Sequence, residues 1–259
     1  MVCCSPLNVV QHVGDQTVDR SNALTFAVES RVFTSADGGV LKAVDNLSFA
    51  VREQSLTCIV GPSGCGKTTS LRMILGLDNN YKGHITRSEQ GPVSVVFQEP
   101  RLLPWRTVIE NVELVLHGQS PSIAMSSLFD QLGLTHVKDF YPAELSLGLA
   151  RRAALARAFV VAPQLLVLDE PFVSLDDDTA QRLRRVLLTM LEHHPTTTLM
   201  VTHNLREAAQ LADTVLVFSE RPAKLLAEIN IDLPRSERDE TATTEIVNRI
   251  TIASGTHSV

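Results

Sequence analysis

Three things are scarce in this sequence of 259 residues: positive charge, long apolar runs and cysteine. Lysine and arginine number 23 against 29 aspartates and glutamates, a net charge of −6. A protein that lives on nucleic-acid phosphates carries a basic excess, so nucleic acid is excluded as the main partner. The longest unbroken apolar run, residues 158–162, has five residues, whereas a membrane-spanning helix takes ~20. The first residues, MVCCSPLNVV, lack the basic start and extended apolar stretch of a secretory signal. The four cysteines (Cys3, Cys4, Cys58 and Cys65) show no zinc-ligand spacing and are too few for a disulfide framework. A reducing cytosol is the simplest compartment.

What is present is enough apolar material for a core, 44% of residues, which argues against wholesale disorder. The length implies one large domain, or one domain with a sub-domain. No internal repeat or low-complexity tract interrupts it. Residues 1–22 are polar without a period and read as a loose arm. Segments 23–28 and 47–51 alternate roughly between apolar and polar, as half-exposed antiparallel strands do, with a turn, SADGG, at 35–39. Four later runs differ: 56–60 (LTCIV), 93–97 (VSVVF), 165–168 (LLVL) and 198–201 (TLMV) are almost continuously apolar. That is the pattern of strands buried on both faces of a parallel sheet. Helical stretches at 67–75, 150–161, 179–192 and 205–211 separate them, so the core is α/β. Between 108 and 145 there are two helical stretches, 108–117 and 123–132, and no strand pattern, which reads as a helical insert. After 218 a strand at 224–231 and a short helix at 243–252 are expected.

The sharpest local feature is Gly61-Pro62-Ser63-Gly64-Cys65-Gly66-Lys67-Thr68-Thr69. It fits G-x-x-x-x-G-K-[ST], and it follows a buried strand and opens a helix, as a phosphate-binding loop must. Glycines let the backbone curl so that successive N–H groups point at phosphate oxygens, and the helix adds its positive end. Lys67 is placed to reach the β- and γ-phosphates, and Thr68 to put its hydroxyl on Mg²⁺. Cys65 leaves two readings open: a reactive thiolate favoured by the helix start and Lys67, or a small residue that fits the loop.

The strand LLVL ends in Asp169 and Glu170. A carboxylate at a strand end can hold Mg²⁺ through water, and its neighbour can activate an attacking water.

Residues 145–149, LSLGL, open the Arg/Ala-rich stretch ARRAALARAFV. They resemble the signature motif, usually written LSGGQ, of ATP-binding-cassette (ABC) ATPases. Further pieces follow the family's order. Gln98, after VSVVF, resembles the Q-loop glutamine; VSLD, ending in Asp176, the D-loop; and His203 the switch histidine. Phe33 sits where the family places an adenine-stacking aromatic, though Phe26 and Phe49 are close by and each of the three is open to a place in the core. The resemblance covers about residues 23–218.

It implies an α/β fold with a P-loop NTPase core, a mostly parallel sheet, an antiparallel β subdomain and a helical insert at about 98–145, followed by a C-terminal strand and helix within 219–259. It also implies Mg-ATP hydrolysis by a head-to-tail dimer. ATP would lie between residues 61–69 of one protomer and the signature of the other, with Ser146, Gly148 and Asp176 at the nucleotide. Glu170 would polarise water, His203 would contact the γ-phosphate, and Gln98 would join Thr68 and Asp169 at Mg²⁺ and report to the insert. Leu147 and Leu149 depart from the motif. The alternative they keep open is a degenerate site in a hetero-pair.

Two classes of coupled work compete: membrane transport, and soluble ABC ATPases acting on DNA or ribosomes. The second would call for a basic surface, a long coiled-coil insertion or paired cassettes. Lys67 and Asp169 are 102 residues apart, room for a short insert only. A lone cassette resembles bacterial importer ATPases, and FQEPRLLPW at 97–105 resembles their nitrate/sulfonate/taurine branch. The resemblance implies a second ATPase subunit, membrane-spanning permease subunits, a solute-binding protein reached through the permease, and a peripheral place on the cytoplasmic face of the inner membrane. Within that stretch Leu102-Leu103-Pro104-Trp105 is the expected docking patch.

Overall fold

The computed structural model describes residues 22–34, 38–87 and 91–255. All of the expected arm (1–22) but Asn22, which opens the first strand, most of the expected turn (35–37) and the last four residues lie outside the described residues.

The main sheet has six strands. They are β3 (Leu56–Val60), β5 (Val93–Val96), β6 (Leu165–Asp169), β7 (Thr197–Val201), β8 (Thr214–Phe218) and β9 (Leu225–Asn230), in the order β5-β6-β7-β3-β8-β9. All neighbours are parallel except β9, which runs antiparallel to β8. The four expected buried strands are all here. Strand β8 is a fifth that the sequence reading did not assign, and it is buried along its whole length.

A second sheet is antiparallel, with β1 (Asn22–Thr34) between β2 (Val40–Arg52) and β4 (Lys82–Arg87). β1 and β2 run far beyond the expected segments. β4 is almost wholly exposed, and its KGHITR sequence carries no apolar alternation. Its place is set by register instead: Gly83 pairs with Val28, at a φ of 122° that suits glycine.

Two buried clusters explain why these strands read as continuous apolar runs. Ile59, Val167, Leu199 and Leu216 face the antiparallel sheet and helix α1 (Lys67–Ile74). Their neighbours Cys58, Leu166, Met200 and Val215 face the helices on the other side. Strict alternation of side-chain direction with apolar residues on both faces gives this layering.

The insert is helical, as expected, but broken. α2 (Val108–Glu113) starts on a capping box, Thr107 with Glu110, and passes into a one-turn helix at Leu114–Leu116. His117 and Gly118, both at positive φ, stop it. α3 (Met125–Gln131) ends before Gly133, again at positive φ. The remaining helices begin at side-chain caps. Ser146 starts α4 (Leu147–Phe159), Asp176 starts α5 (Asp177–His193), Asn204 starts α6 (Leu205–Leu211) and Asp239 starts α7 (Glu240–Ala253). α4, α5 and α7 therefore begin two or three residues before their apolar patterns. The C-terminal segment is built into the core: β9 completes the sheet, and Ile246 and Ile250 of α7 are buried in the helical-side cluster. Among the described residues no helix is long and apolar enough to cross a membrane.

Candidate functional site

The parallel strands β3, β6 and β7 end on one edge, where an open α/β sheet gathers its ligand-binding loops. β3 delivers residues 61–66. Gly64 has φ 72° and Gly66 φ 126°, and a Cβ on Gly66 would lie 2.9 Å from the carbonyl oxygen of Ala43. Only glycine suits both the dihedral and the close approach. Gly66 is the N-cap of α1 and offers no side chain, so the first-turn N–H groups are left to other acceptors. Lys67 is buried; its ammonium donates to the carbonyls of Gly61 (2.7 Å) and Pro62 (2.8 Å). Thr68 is exposed and Thr69 half-buried. Cys65 is 1% exposed within the core next to the loop. Its burial favours the small-residue reading, since a reagent reaches a thiol only where it is accessible.

Sequence reasoning missed Arg221. It lies in the β8–β9 turn and donates from Nε and Nη2 to the carbonyl of Gly64, at 2.8 and 2.6 Å. The same turn exchanges backbone hydrogen bonds with β2, Ala223 N to Ala43 O and Asp45 N to Ala223 O. The loop is thus held from outside by two chain segments remote in sequence.

At the ends of β6 and β7 the acidic centre and the histidine meet. The backbone N–H of Glu170 donates to Val201 O at 2.9 Å, and His203 Nδ1 lies 3.1 Å from Glu170 Oε2. Glu170 has φ 47°, left-handed for a non-glycine residue, a kind of strain that clusters at functional sites. Burial, and then the charge of Glu170, push the Asp169 carboxyl above its ordinary value; Lys67 and Arg101 pull it back. A carboxylate so placed is stabilised by an added cation. A cleft of about 200 Å³ runs past Glu170, Ser174, Asp177 and His203.

Gln98 follows β5 and is exposed. The loop after it is tied to α4, because Arg157 donates to the carbonyls of Pro100 (2.8 Å) and Arg101 (2.9 Å). Trp105 stands 69% exposed beyond that loop.

The signature segment lies on the surface. Ser146 caps α4, its hydroxyl accepting from Leu149 N at 3.3 Å, and Leu147 is 41% exposed. Gly148 packs on α5: a Cβ there would come within 2.8 Å of Thr179 Cγ2. Asp176 caps α5 by accepting from Thr179 N at 2.9 Å, a bond that holds its carboxyl below the ordinary value. Arg151 of α4 reaches back to the carbonyls of Pro171 and Val173, just past Glu170. Among the described residues no hydrogen bond or ion pair joins 145–149 to 61–69.

The three phenylalanines separate. Phe26 and Phe49 stack in the core, ring centroids 4.7 Å apart. Phe33 is 38% exposed, with the Arg31 guanidinium 3.8 Å from its ring centroid. It pairs with Leu41, two residues before Ala43, so it sits on the hairpin end next to the phosphate loop.

The ABC transporter family matches residues 44–173, which spans the loop, the signature and the acidic strand end. This chain belongs to the ABC transporter family. It is an ATPase of that family, whose fold binds ATP or ADP. Aliphatic sulfonates import ATP-binding protein SsuB 2 of Burkholderia lata is 43% identical over 207 residues, 76% of this chain and 75% of that protein. The protein of the same name from Pseudomonas syringae pv. tomato is 39% identical over 196 residues, 75% of this chain and 84% of its own. Among solved structures, the dimeric structure of the bacterial ABC transporter cassette MJ0796 aligns with a TM-score of 0.70 at 22% identity. It covers 82% of this chain and 100% of that one, and shows the fold.

Proposed function

We propose that this chain is the energy-coupling ATPase subunit of a bacterial-type importer for an aliphatic sulfonate, taurine, nitrate or a related small solute. The identity to sulfonate-import ATP-binding proteins carries the transport reading. For the chemistry, the support is the convergence of Lys67, Asp169, Glu170 and His203 at the ends of three parallel strands. In-line hydrolysis of ATP needs positioned charge more than covalent chemistry. Lys67 exchanges its carbonyl partners for phosphate oxygens, and the N–H groups of residues 63–69 cradle the β-phosphate. Glu170 orients and polarises the attacking water. His203, beside Glu170, contacts the γ-phosphate. Phe33 offers its ring to adenine.

Mg²⁺ fits this donor set. Among the described residues no group of three or more His, Cys, Asp or Glu side chains gathers as an all-protein metal site. The protein's share is the Thr68 hydroxyl, the Asp169 carboxylate and the Gln98 amide, with phosphate oxygens supplying the rest. When bound, the ion neutralises phosphate charge. Residues 98–145 serve as the coupling insert, in a domain that takes in β9 and α7 as well as residues 23–218.

Two protomers pair head to tail, so that Ser146, Gly148 and the start of α4 close over the other protomer's nucleotide, with Asp176 at the seam. The dimeric cassette among the fold neighbours supports this arrangement. The subunit rides on membrane-spanning permease subunits at the cytoplasmic face and meets a solute-binding protein only through them. A direct test deletes the gene from its host and supplies an alkanesulfonate, taurine or nitrate as sole sulfur or nitrogen source. Growth lost on one of these and restored by the wild-type gene, not by Glu170→Gln, supports the reading; normal growth on all three overturns the solute assignment.

A further inference from the structure

We propose that Glu207 is a positioning residue for His203, fixing the switch turn and tying it to the helix that follows the D-loop; this rests on the ATPase-site reading above. His203 has a largely exposed side chain, and among the described residues its hydrogen-bond partner is Glu170. A single contact does not hold an exposed ring in one place. Its neighbours are held firmly, and by one carboxylate. Thr202 Oγ1 donates to Glu207 Oε2 at 2.7 Å, and Asn204 Nδ2 donates to Glu207 Oε1 at 3.3 Å. The frame closes on itself: Asn204 N donates to Thr202 Oγ1 at 3.0 Å, and Glu207 N donates to Asn204 Oδ1 at 3.3 Å.

Glu207 is buried, and its second charge contact crosses to another element. Arg184 Nη1 of α5 lies 3.7 Å from Glu207 Oε1. The Arg184 guanidinium also lies 5.9 Å from the ring centroid of Phe172, two residues after Glu170. One carboxylate therefore joins the switch turn, the D-loop helix and the segment that carries Glu170. Burying a carboxylate is costly, and replacing a buried ion pair by apolar groups is often neutral or stabilising. Helix capping alone gives no reason for that cost, because Asn204 already caps α6 through Arg206 N and Glu207 N. Register of the catalytic turn does give one.

The test compares Glu207→Ala, Glu207→Gln and Thr202→Val in the full chain, each alone and combined with His203→Ala, by steady-state ATP hydrolysis. A misplacement of the order of an ångström costs about 10²-fold, so Glu207→Ala is expected to cut kcat by about 10–100-fold. KM for ATP should stay within about twofold, as for a group that acts only at the chemical step. Gln keeps an acceptor for Thr202 and should restore most of the rate. With His203 already alanine, removing Glu207 should cost almost nothing further, the signature of residues acting as a unit. A purely structural role would lower the melting temperature and leave kcat of the folded fraction unchanged; that result, or full additivity with His203→Ala, overturns the proposal. If Glu207→Ala does not fold, Thr202→Val decides: it removes one hydroxyl and should show the same loss of kcat in the single variant only. Glu170→Gln, measured alongside, separates the two claims. Normal hydrolysis by Glu170→Gln overturns the site reading itself; its loss with Glu207→Ala unaffected overturns the positioning role alone.

Discussion

The phosphate loop and the signature segment are both helix starts with a glycine at the approach, and they are finished very differently. Around the loop, Lys67 and Cys65 are buried, Ala43 and Ala223 wall Gly66, and Arg221 holds Gly64. Its helix start has no side-chain cap. The signature helix has its cap, Ser146, and leaves Ser146 and Leu147 at the surface, while Leu145, Gly148 and Leu149 pack on their own chain. One half-site is closed in by its own chain; the other is left open at the surface, where the head-to-tail dimer proposed above would place a second protomer.

The largest effect should come from Lys67→Ala. Charge-assisted hydrogen bonds are worth about 1.5–3 kcal/mol, so ATP affinity is expected to fall about 10–100-fold, with turnover below detection. Unchanged affinity for a fluorescent ATP analogue would break the comparison at its stronger side. Next is Glu170→Gln, which keeps size and hydrogen bonding and removes the basic oxygen. Loss of a general base costs about 10²–10⁴-fold in rate. ATP should still bind, and a stalled dimer should accumulate on a sizing column with Mg-ATP, the signature surface now buried. A monomer under those conditions would leave that surface unexplained.

Asp169→Asn probes the cost of the finished half. The folded chain holds this carboxyl above its ordinary value, so it binds protons more readily folded than unfolded, and the ionised form destabilises the fold. Asn should therefore raise the melting temperature without nucleotide, while Mg-dependent hydrolysis is lost. The gain should be full at neutral pH. It should shrink as pH falls through the raised folded value toward the ordinary one, where Asp169 itself becomes neutral. A pH-independent gain would mean packing, not charge, is responsible.

The same contrast governs what the sequence revealed. Loop, strands and acidic ends are local: Leu56–Val60 is apolar throughout because both its faces are covered, and the glycines of the loop answer to dihedrals of their own residues. Strand β8 is as buried as β3, yet only Ala212 and Asp213 separate it from α6, with no glycine or proline to mark the break. Strand β4 has no apolar alternation, and pairing with β1 decides it. Arg221 on Gly64, His203 on Glu170 and Arg184 with Glu207 join residues 157, 33 and 23 positions apart. Such long-range side-chain contacts leave no periodicity. For Glu207 one local mark existed: Asn204-Leu205-Arg206-Glu207 has the spacing of a capping box.

The smallest effects on the isolated chain should come from the exposed half, and they separate its two surfaces. Leu147 is exposed beside the Ser146 cap, where the second protomer of the proposed dimer would approach. Leu147→Gly should change Mg-ATP hydrolysis and dimer formation without altering co-purification with the permease. Trp105 is exposed on the far side of the loop that Arg157 ties to α4. A water-soluble enzyme gains nothing by showing a tryptophan there, whereas an intracellular helix of a permease can bury it as a groove buries a helix. An anchor of that kind is worth ~2 kcal/mol, so Trp105→Ala should weaken docking by about 30-fold and abolish co-purification. Surface substitutions usually stay within ±0.5 kcal/mol, so basal hydrolysis should remain within about twofold. If Trp105→Ala instead destroys basal hydrolysis and leaves assembly intact, the tryptophan belongs to the nucleotide half of the molecule, and the division between a finished site and an unfinished surface must be redrawn on the other side of Gln98.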